Sequence, residues 1–193
     1  MGQPLSLTSS EPLIERFIYF SFIVFFVIMA ERKIPETITE EEFIKILRAT
    51  KKKHHRTAFI LGFYGAMRIS EVVKLLPENI DRGQRLIKIK QAKGNKDRNI
   101  PLPPQAVKAI SYLPIKCGIR ALEIAIKNYG QKILNRDIHF HTLRHSGATH
   151  YLNKKKWSTR AVQQLLGHSK IQTTEIYTHV TPQDLIDKMW DEK

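Results

Sequence analysis

The order of apolar and polar positions predicts a mainly α-helical domain with one small antiparallel β-sheet, which is an α+β fold. From Ile34 onward, apolar residues recur with helical spacing or in short continuous runs. The helices predicted from this pattern cover residues 40–49, 57–64, 71–76, 105–112, 119–128, 141–152, 158–166 and 169–177, with a last one from 181 onward. A basic link over residues 51–56 is expected between the first two helices.

The sheet is predicted in the middle of the chain. Over residues 85–91, isoleucines alternate with lysines, which is the period of a strand with one buried and one exposed face. A second short strand is expected over residues 99–102. Between the two, Gly94-Asn95 is suitable for a tight hairpin turn, so the strands are predicted to pair antiparallel.

Polar residues at two predicted helix starts support these boundaries. Thr39 and Glu42 have the spacing of a capping box, in which each side chain accepts from the other residue's N–H. Ser70 is expected to cap the helix over residues 71–76. The start of that helix matters because Arg68 immediately precedes it.

Charge narrows the range of partners. The 193-residue chain is long enough for one domain, or one domain with an appendage. It has 32 Lys and Arg against 18 Asp and Glu, a net charge of +14 that attracts polyanions. Nucleic acid is therefore the first candidate partner, anionic membrane the second, and solubilising charge the plain alternative. The single Cys117 allows no internal disulfide and no Cys/His spacing fits a zinc site, so we expect a reducing, cytoplasmic setting and no metal.

The N-terminus is unusual for such a basic chain. Residues 17–30 are fourteen nearly continuous apolar positions, which is short of the roughly 20 needed to span a membrane. Three interpretations fit: a marginal membrane anchor using residues 13–30, a remnant of an upstream domain, or sequence outside the native product. We favour a start at Met29, so residues 1–28 are an apolar extension and residues 29–180 the functional domain.

Several residues with chemical potential fall at special points of this pattern. Arg68 precedes a helix start, where free N–H groups help to bind an anion. His141 and Arg144 are three residues apart and share one helix face, and the planar donors of an arginine suit two phosphate oxygens. Each pattern alone is equally typical of solvated surface residues.

The other candidates are Lys93, His168 and Tyr177. Lys93 lies at the tip of a lysine-rich hairpin, where it and its neighbours Lys90 and Lys96 are also suited to plain phosphate contacts. His168 follows a predicted helix end, where it could simply be a C-terminal cap. A tyrosine such as Tyr177 is usually a packing residue. Its phenol, with a pKa near 10, attacks near neutral pH only if cationic donors stabilise the phenolate.

In this order the motifs resemble those of the tyrosine recombinases, the integrase and Xer-type family. The matching stretches are Ala66-Met67-Arg68-Ile69-Ser70-Glu71, Lys93-Gly94-Asn95-Lys96-Asp97-Arg98, His141-Thr142-Leu143-Arg144-His145-Ser146, Leu166-Gly167-His168-Ser169, and residues 173–179. The likeness covers about residues 34–180 and implies the tyrosine recombinase catalytic-domain fold. With the Lys-, Ile- and Glu-rich composition, it suggests an integrase of an archaeon or of an archaeal virus or plasmid.

The resemblance implies a role for each matching residue. Tyr177 would attack a DNA phosphodiester and leave a 3′-phosphotyrosyl link, with no metal or other cofactor. The remaining roles would be phosphate binding by Arg68, Arg144 and His168, proton donation by Lys93, acid–base assistance by His141, support by Glu71, and DNA contacts by Lys90, Lys96 and Arg98. The implied partners are double-stranded DNA and further copies of the chain, with a tetramer at synapsis.

The chain also departs from the family pattern. Relatives usually have an N-terminal DNA-clamping domain, so we expect a partner or a longer product to supply one. Residues 181–193 are expected to form a helix that either folds back on its own core or docks into a neighbouring subunit. A straight helix from Ser169 would hold Tyr177 far from its cap, which leaves cleavage in cis or in trans open. The rival functions are supercoil relaxation of the type IB topoisomerase kind and a DNA-binding remnant that no longer cuts.

Overall fold

The computed structural model describes residues 36–92, 96–167 and 182–190, and it confirms the predicted fold class. The helices in these ranges are α1 (Glu40–Ala49), α2 (Lys53–Phe63), α3 (Ile69–Val73), α4 (Ile119–Leu134), α5 (Phe140–Asn153), α6 (Thr159–Leu166) and α7 (Pro182–Trp190). Short 3₁₀ turns cover Pro77–Asn79, Pro104–Ala106 and Ala109–Tyr112. The strands are β1 (Ile80–Asp81), β2 (Leu86–Ala92) and β3 (Lys96–Pro101), which form an antiparallel sheet in the order β1-β2-β3.

The helix starts are partly as predicted. The Thr39 N–H donates to Glu42 Oε2 at 2.8 Å and the Glu42 N–H donates to Thr39 Oγ1 at 3.2 Å, so the capping box is confirmed. The basic link over residues 51–56 is wrong, because α2 begins at Lys53 and its first turn is the polar, exposed part of a helix whose remainder is buried. Ser70 as an N-cap is also wrong. The cap of α3 is Arg68, because the carboxylate of Glu71 accepts the Arg68 N–H.

Two other boundaries differ from the prediction. The helix expected over residues 105–112 is a pair of 3₁₀ turns, the first of which begins directly after Pro103. In contrast, α4 continues past residue 128 to Leu134. Gly130 lies inside this helix, at a position where a Cβ would be 2.2 Å from a side-chain carbon of Ile138. The glycine therefore allows close packing in the helix interior.

The core is centred on α2, whose residues 57–63 are all buried. It crosses α5 at very short range, since a Cβ on Gly147 would lie 1.9 Å from the carbonyl oxygen of Phe63. On another side of α2, the ring of Phe63 stacks on Phe43 of α1 with centroids 4.2 Å apart. The crossing fixes α5 against the end of α2, which is where the chain turns toward Arg68.

The sheet has the two faces predicted from the sequence. Ile87 of β2 is directly opposite Ile100 of β3, and both are fully buried, whereas Lys88 and Lys90 are exposed. Arg98 is opposite Ile89, so its side chain belongs to the inner face. The strand β1 was not predicted, because two residues are too few for an alternating pattern.

Helix α7 packs on its own sheet. Leu185, Ile186 and Met189 are buried, and the indole N–H of Trp190 donates to the Leu102 carbonyl at 2.9 Å. The guanidinium of Arg85 covers the Trp190 ring at 4.1 Å from its centroid. This is the fold-back arrangement, and docking into a neighbouring subunit stays a prediction. No helix within the described ranges is long and apolar enough to span a membrane, and residues 13–30 lie outside those ranges.

Candidate active site

The candidate site begins at the turn between α2 and α3. Ala66 has a φ of 47°, in the left-handed region that non-glycine residues rarely adopt. This conformation belongs to a tight reversal in which the Met67 N–H donates to the Leu61 carbonyl at 3.3 Å. Arg68 follows in an extended conformation, with its side chain 27% exposed. The turn therefore delivers one arginine to a surface that water or a ligand can reach.

Glu71 holds that arginine in place. Its carboxylate accepts from the Arg68 N–H at 2.8 Å and from Arg68 Nη1 at 3.0 Å. The same carboxylate binds Arg98 of β3, with Nη2 at 3.1 Å from Oε2 and Nη1 at 3.0 Å from Oε1. With only 7% of its side chain exposed, Glu71 is a largely buried anion shared by two guanidinium groups. Charge-assisted contacts of this kind are the strong ones, so the orientation of Arg68 is well fixed.

Arg144 reaches the same region from α5. One guanidinium nitrogen donates to the Ala66 carbonyl and the other to the Leu166 carbonyl at 2.8 Å. Arg144 is 3% exposed, and its burial, followed by the positive charges of Arg68 and Arg98, lowers its pKa to about 10. It still carries its charge at neutral pH. Arg144 therefore connects the turn after α2 with the end of α6.

Two histidines extend this cluster along α5. The rings of His141 and His145 meet edge to face with centroids 4.3 Å apart. Burial lowers the pKa of His141, and the neighbouring His145, Arg144 and Arg68 lower it further, against an opposing effect of Glu123. The pKa of His145 is lowered by burial and by Arg144. Both imidazoles therefore favour the neutral form, which can accept a proton.

The cluster has an excess of positive charge. Arg68, Arg98 and Arg144 surround Glu71, which leaves two of the three positive charges uncompensated by a carboxylate in the described part of the chain. An unbalanced charge held away from water is costly unless an anion occupies the site. A cleft of about 300 Å³ next to Glu71 is bordered by Lys74, and on the sheet side by Lys88 and Lys90. The arrangement suits a polyanion with one group held at the arginines.

The structure brings together five of the predicted site residues: Arg68, Glu71, Arg98, His141 and Arg144. Lys93, His168 and Tyr177 lie outside the described residues, as does the side chain of Lys96. However, the two residues before His168 are described. Arg144 donates to the carbonyl of Leu166, and Arg98 lies against Gly167. The chain therefore leaves α6 at the arginine cluster and continues from there toward His168.

Two residues differ from the sequence interpretation. Arg98 was grouped with Lys90 as a DNA contact, yet its side chain is 13% exposed and bound to Glu71, whereas Lys90 is exposed. The sequence could have shown that Arg98 faces inward. In a strand, residues two apart share a face, and Arg98 is two residues before the buried Ile100. His145 was not predicted as a site residue, although it is one helical turn from His141. No cluster of His, Cys, Asp or Glu in the described ranges has the geometry to hold a metal ion.

Sequence comparison identifies the family. The profile of the phage integrase family matches residues 36–126 and 119–184, which together are more than half of the chain. The chain belongs to the phage integrase family. The matched ranges contain every residue of the arginine cluster, and also Lys93, His168 and Tyr177.

Curated relatives include tyrosine recombinases of bacteria and archaea. A tyrosine recombinase of Thermosipho africanus is 32% identical over 177 residues, covering 81% of this chain and 61% of the relative. The tyrosine recombinase XerA of Thermococcus kodakarensis is 35% identical over 175 residues, covering 80% of this chain and 61% of the relative. The chain thus spans about three fifths of the length of these relatives.

Solved structures show the same fold. The integrase of mycobacterium phage Brujita superimposes with a TM-score of 0.68 at 22% identity, covering 82% of this chain and 58% of the integrase. The XerH site-specific recombinase, in a pre-cleavage complex with its difH substrate, gives a TM-score of 0.59 at 20% identity, covering 72% of this chain and 48% of XerH. At these identities the similarity establishes the fold.

Proposed function

We propose that this protein is a site-specific DNA recombinase that cuts and rejoins strands through a 3′-phosphotyrosyl intermediate on Tyr177. The observation that carries the proposal is the convergence of Arg68 and Arg144 beside the shared carboxylate of Glu71, with an excess of positive charge. Fixed guanidinium groups stabilise the charge that develops on the non-bridging oxygens of a phosphodiester. Membership of the phage integrase family supports the same chemistry.

In the proposed cleavage step, the phenol oxygen of Tyr177 bonds to phosphorus while the bond from phosphorus to the 5′-oxygen breaks. The phenol proton passes to the neutral imidazole of His141, and the departing 5′-oxygen takes a proton from Lys93. His168 donates a hydrogen bond to the phosphate. Rejoining is the reverse reaction with the 5′-hydroxyl of another strand. The phosphotyrosyl link retains the energy of the broken bond, so the scheme needs no metal or nucleotide.

The protonation states of the described groups fit these roles. Burial and neighbouring cations lower the pKa of His141, so it enters the reaction as a base. Arg144 remains cationic near neutral pH even with a pKa lowered to about 10. An incoming phosphate would favour the charged form of Arg144, because it supplies the anion that the cluster lacks.

Double-stranded DNA is the proposed substrate and partner. The net charge of +14 and the exposed Lys88 and Lys90 beside the cleft favour a phosphate backbone over a neutral ligand. The fold neighbour XerH is bound to its difH DNA, which is consistent with this proposal. We further propose that copies of the chain assemble on paired sites as a tetramer, and that a clamping domain comes from a partner or a longer product.

The function is tested with nicked duplexes, in which cleavage releases a short fragment and traps the protein on the DNA. The full chain is incubated at low salt with a nicked library that has a randomised core, and adducts are separated in denaturing gels. We expect a covalent adduct with wild type and none with Tyr177→Phe. Tyr112→Phe is the matched control, because Tyr112 is an exposed tyrosine outside the arginine cluster and its loss should leave the adduct unchanged.

The same assay separates the rival functions. A requirement for particular core sequences in the trapped library supports recombination at specific sites. Trapping on every duplex, together with relaxation of any supercoiled plasmid, would instead indicate a reaction of the topoisomerase kind. DNA binding without an adduct would identify a non-cutting remnant and overturn the proposal.

A further inference from the structure

We propose that Arg98 is a positioning residue of the cleavage site, which holds Arg68 through Glu71 and the end of α6 through Gly167. The proposal rests on the proposed function. It gives Arg98 a role different from that of the lysines on the same hairpin. Arg98 would act through the residues that it contacts and not by touching DNA.

Arg98 lies on the inner face of the sheet. It is directly opposite Ile89, which is 4% exposed, and two residues before the fully buried Ile100. Its side chain therefore points to the inner face and is 13% exposed, whereas Lys88 and Lys90 on β2 point outward. A contact that supplies DNA affinity is expected on the exposed face, where a phosphate can approach without displacing packed side chains.

Arg98 and Arg68 share the carboxylate of Glu71. Both terminal nitrogens of Arg98 approach Glu71, at 3.1 Å and 3.0 Å. Nη2 donates a hydrogen bond to Oε2, whereas Nη1 lies beside Oε1 as an ion-pair contact without hydrogen-bond geometry, so one guanidinium restrains both carboxylate oxygens. The other contacts of the carboxylate are the N–H and the Nη1 of Arg68, at 2.8 Å and 3.0 Å. Arg98 therefore limits the positions that Arg68 can adopt.

Arg98 also contacts the end of α6. Gly167 ends this helix with a φ of +67°, and a Cβ there would lie 2.5 Å from Arg98 Nη1 and 2.6 Å from Arg98 Cδ. The glycine thus leaves room for the guanidinium to lie against the chain. The preceding carbonyl, of Leu166, accepts from Arg144. Arg98 and Arg144 together hold the point from which the chain continues to His168.

These contacts predict a defect in rate and not in affinity. If Arg98 only positions other groups, its loss leaves the exposed phosphate contacts intact and misplaces Arg68 and the end of α6. A misplacement of about 1 Å in a reacting constellation lowers the rate by about 100-fold. We therefore expect Arg98→Gln to lower the single-turnover cleavage rate at saturating DNA by about 10- to 100-fold. The dissociation constant and its salt dependence should be unchanged.

Two further variants separate geometry from charge, and a third variant, distant from the site, is the control. Arg98→Lys keeps the charge but has a single nitrogen, which cannot lie near both carboxylate oxygens as Nη1 and Nη2 do, so its cleavage rate should be low like that of Arg98→Gln. Gly167→Ala keeps every charge, displaces the Arg98 side chain and strains the left-handed end of α6, so its rate loss should be at least as large. Lys132→Gln removes one positive charge from an exposed position on α4 and should match wild type in rate.

The experiment measures cleavage of nicked duplexes and DNA binding over a range of salt, with all four variants and wild type as full chains. A rate loss at unchanged affinity for Arg98→Gln and Gly167→Ala supports the proposal. The opposite result for Arg98→Gln would be weaker DNA binding, a dependence of log K on log salt that is smaller by about 1, and a normal rate at saturating DNA. That result would identify Arg98 as a phosphate contact and overturn the positioning role. Wild-type cleavage rates for Arg98→Gln and Gly167→Ala would also overturn the positioning role.

A second measurement keeps this proposal distinct from the proposed function. In the DNA-free protein, Arg98→Gln should speed hydrogen exchange of the Gly167 amide, because the guanidinium no longer packs against the end of α6. If wild type forms no adduct with DNA, the proposed function fails, but the exchange result still shows whether Arg98 holds this helix end. Unchanged exchange would contradict the positioning role.

Discussion

Replacing Glu71 by glutamine removes the only carboxylate that binds the arginine cluster in the described ranges while keeping the shape of the side chain. The carboxylate makes four contacts of 2.8 to 3.1 Å, two with Arg68 and two with Arg98. An amide group keeps one acceptor oxygen but places an NH₂ where the other oxygen stood. At least one donor on each arginine then loses its acceptor or faces another donor.

The burial of Glu71 sets the magnitude. Its side chain is 7% exposed and that of Arg98 is 13% exposed, so water replaces the lost interaction poorly. Removing one partner of a buried ion pair costs about 3–5 kcal/mol. Because Arg68 is 27% exposed and recovers some solvation, we expect the lower end, about 3 kcal/mol of unfolding free energy. The cleavage rate should fall as well, since Arg68 loses its support.

Urea unfolding followed by circular dichroism measures this change as a shift of the midpoint at constant slope. Glu78→Gln is the matched control, because Glu78 is exposed in the turn before β1 and the same substitution there should change the free energy by less than about 0.5 kcal/mol. If Glu71→Gln also stays within about 0.5 kcal/mol of wild type, the carboxylate does not hold the arginines as described. The account of the site would then be wrong.

Three further predictions concern the fold and the histidines. Gly147→Ala should lower the free energy of unfolding, measured with urea, by at least about 4 kcal/mol, because its Cβ would lie 1.9 Å from the Phe63 carbonyl oxygen. A decrease below about 1 kcal/mol would contradict the close crossing of α2 and α5. NMR titration of the DNA-free protein should give His141 a pKa below 6.5, and His145→Gln should raise it by removing the neighbouring imidazole. As the pH falls from 6.5 through that lower pKa, His141 binds more protons in the unfolded chain than in the folded protein, so the free energy of unfolding decreases. An unchanged His141 pKa in His145→Gln would refute the coupling between the two imidazoles. Trp190→Phe should lower the unfolding free energy by about 1–2 kcal/mol through loss of its hydrogen bond to the end of β3, and no change would indicate that α7 does not pack in cis.

The elements with regular patterns could be predicted from the sequence. The capping box at Thr39 and the alternation over β2 each express a local rule, and both are confirmed. One error arose where a side-chain contact overrode local propensity. Ser70 has better intrinsic capping propensity than Arg68, yet the carboxylate of Glu71 moved the helix start to Arg68.

The candidate site was predictable as a set of residues but not as an arrangement. Residue type and order indicated Arg68, His141 and Arg144, because each is a donor or base suited to a phosphate. Nothing local revealed that Arg144 binds the carbonyls of Ala66 and Leu166, since those contacts join segments that are 78 and 22 residues apart in the chain. The tertiary fold alone creates these contacts.

The most direct test of the central claim is to identify the amino acid that becomes linked to DNA. The trapped adduct is digested with trypsin and nuclease, and the peptide carrying the nucleotide is sequenced by mass spectrometry. The account predicts a single modified position, Tyr177, with the 3′-phosphate of the cleaved strand attached to its phenol oxygen. A link to any other residue, or a cut strand with no protein attached, would contradict it.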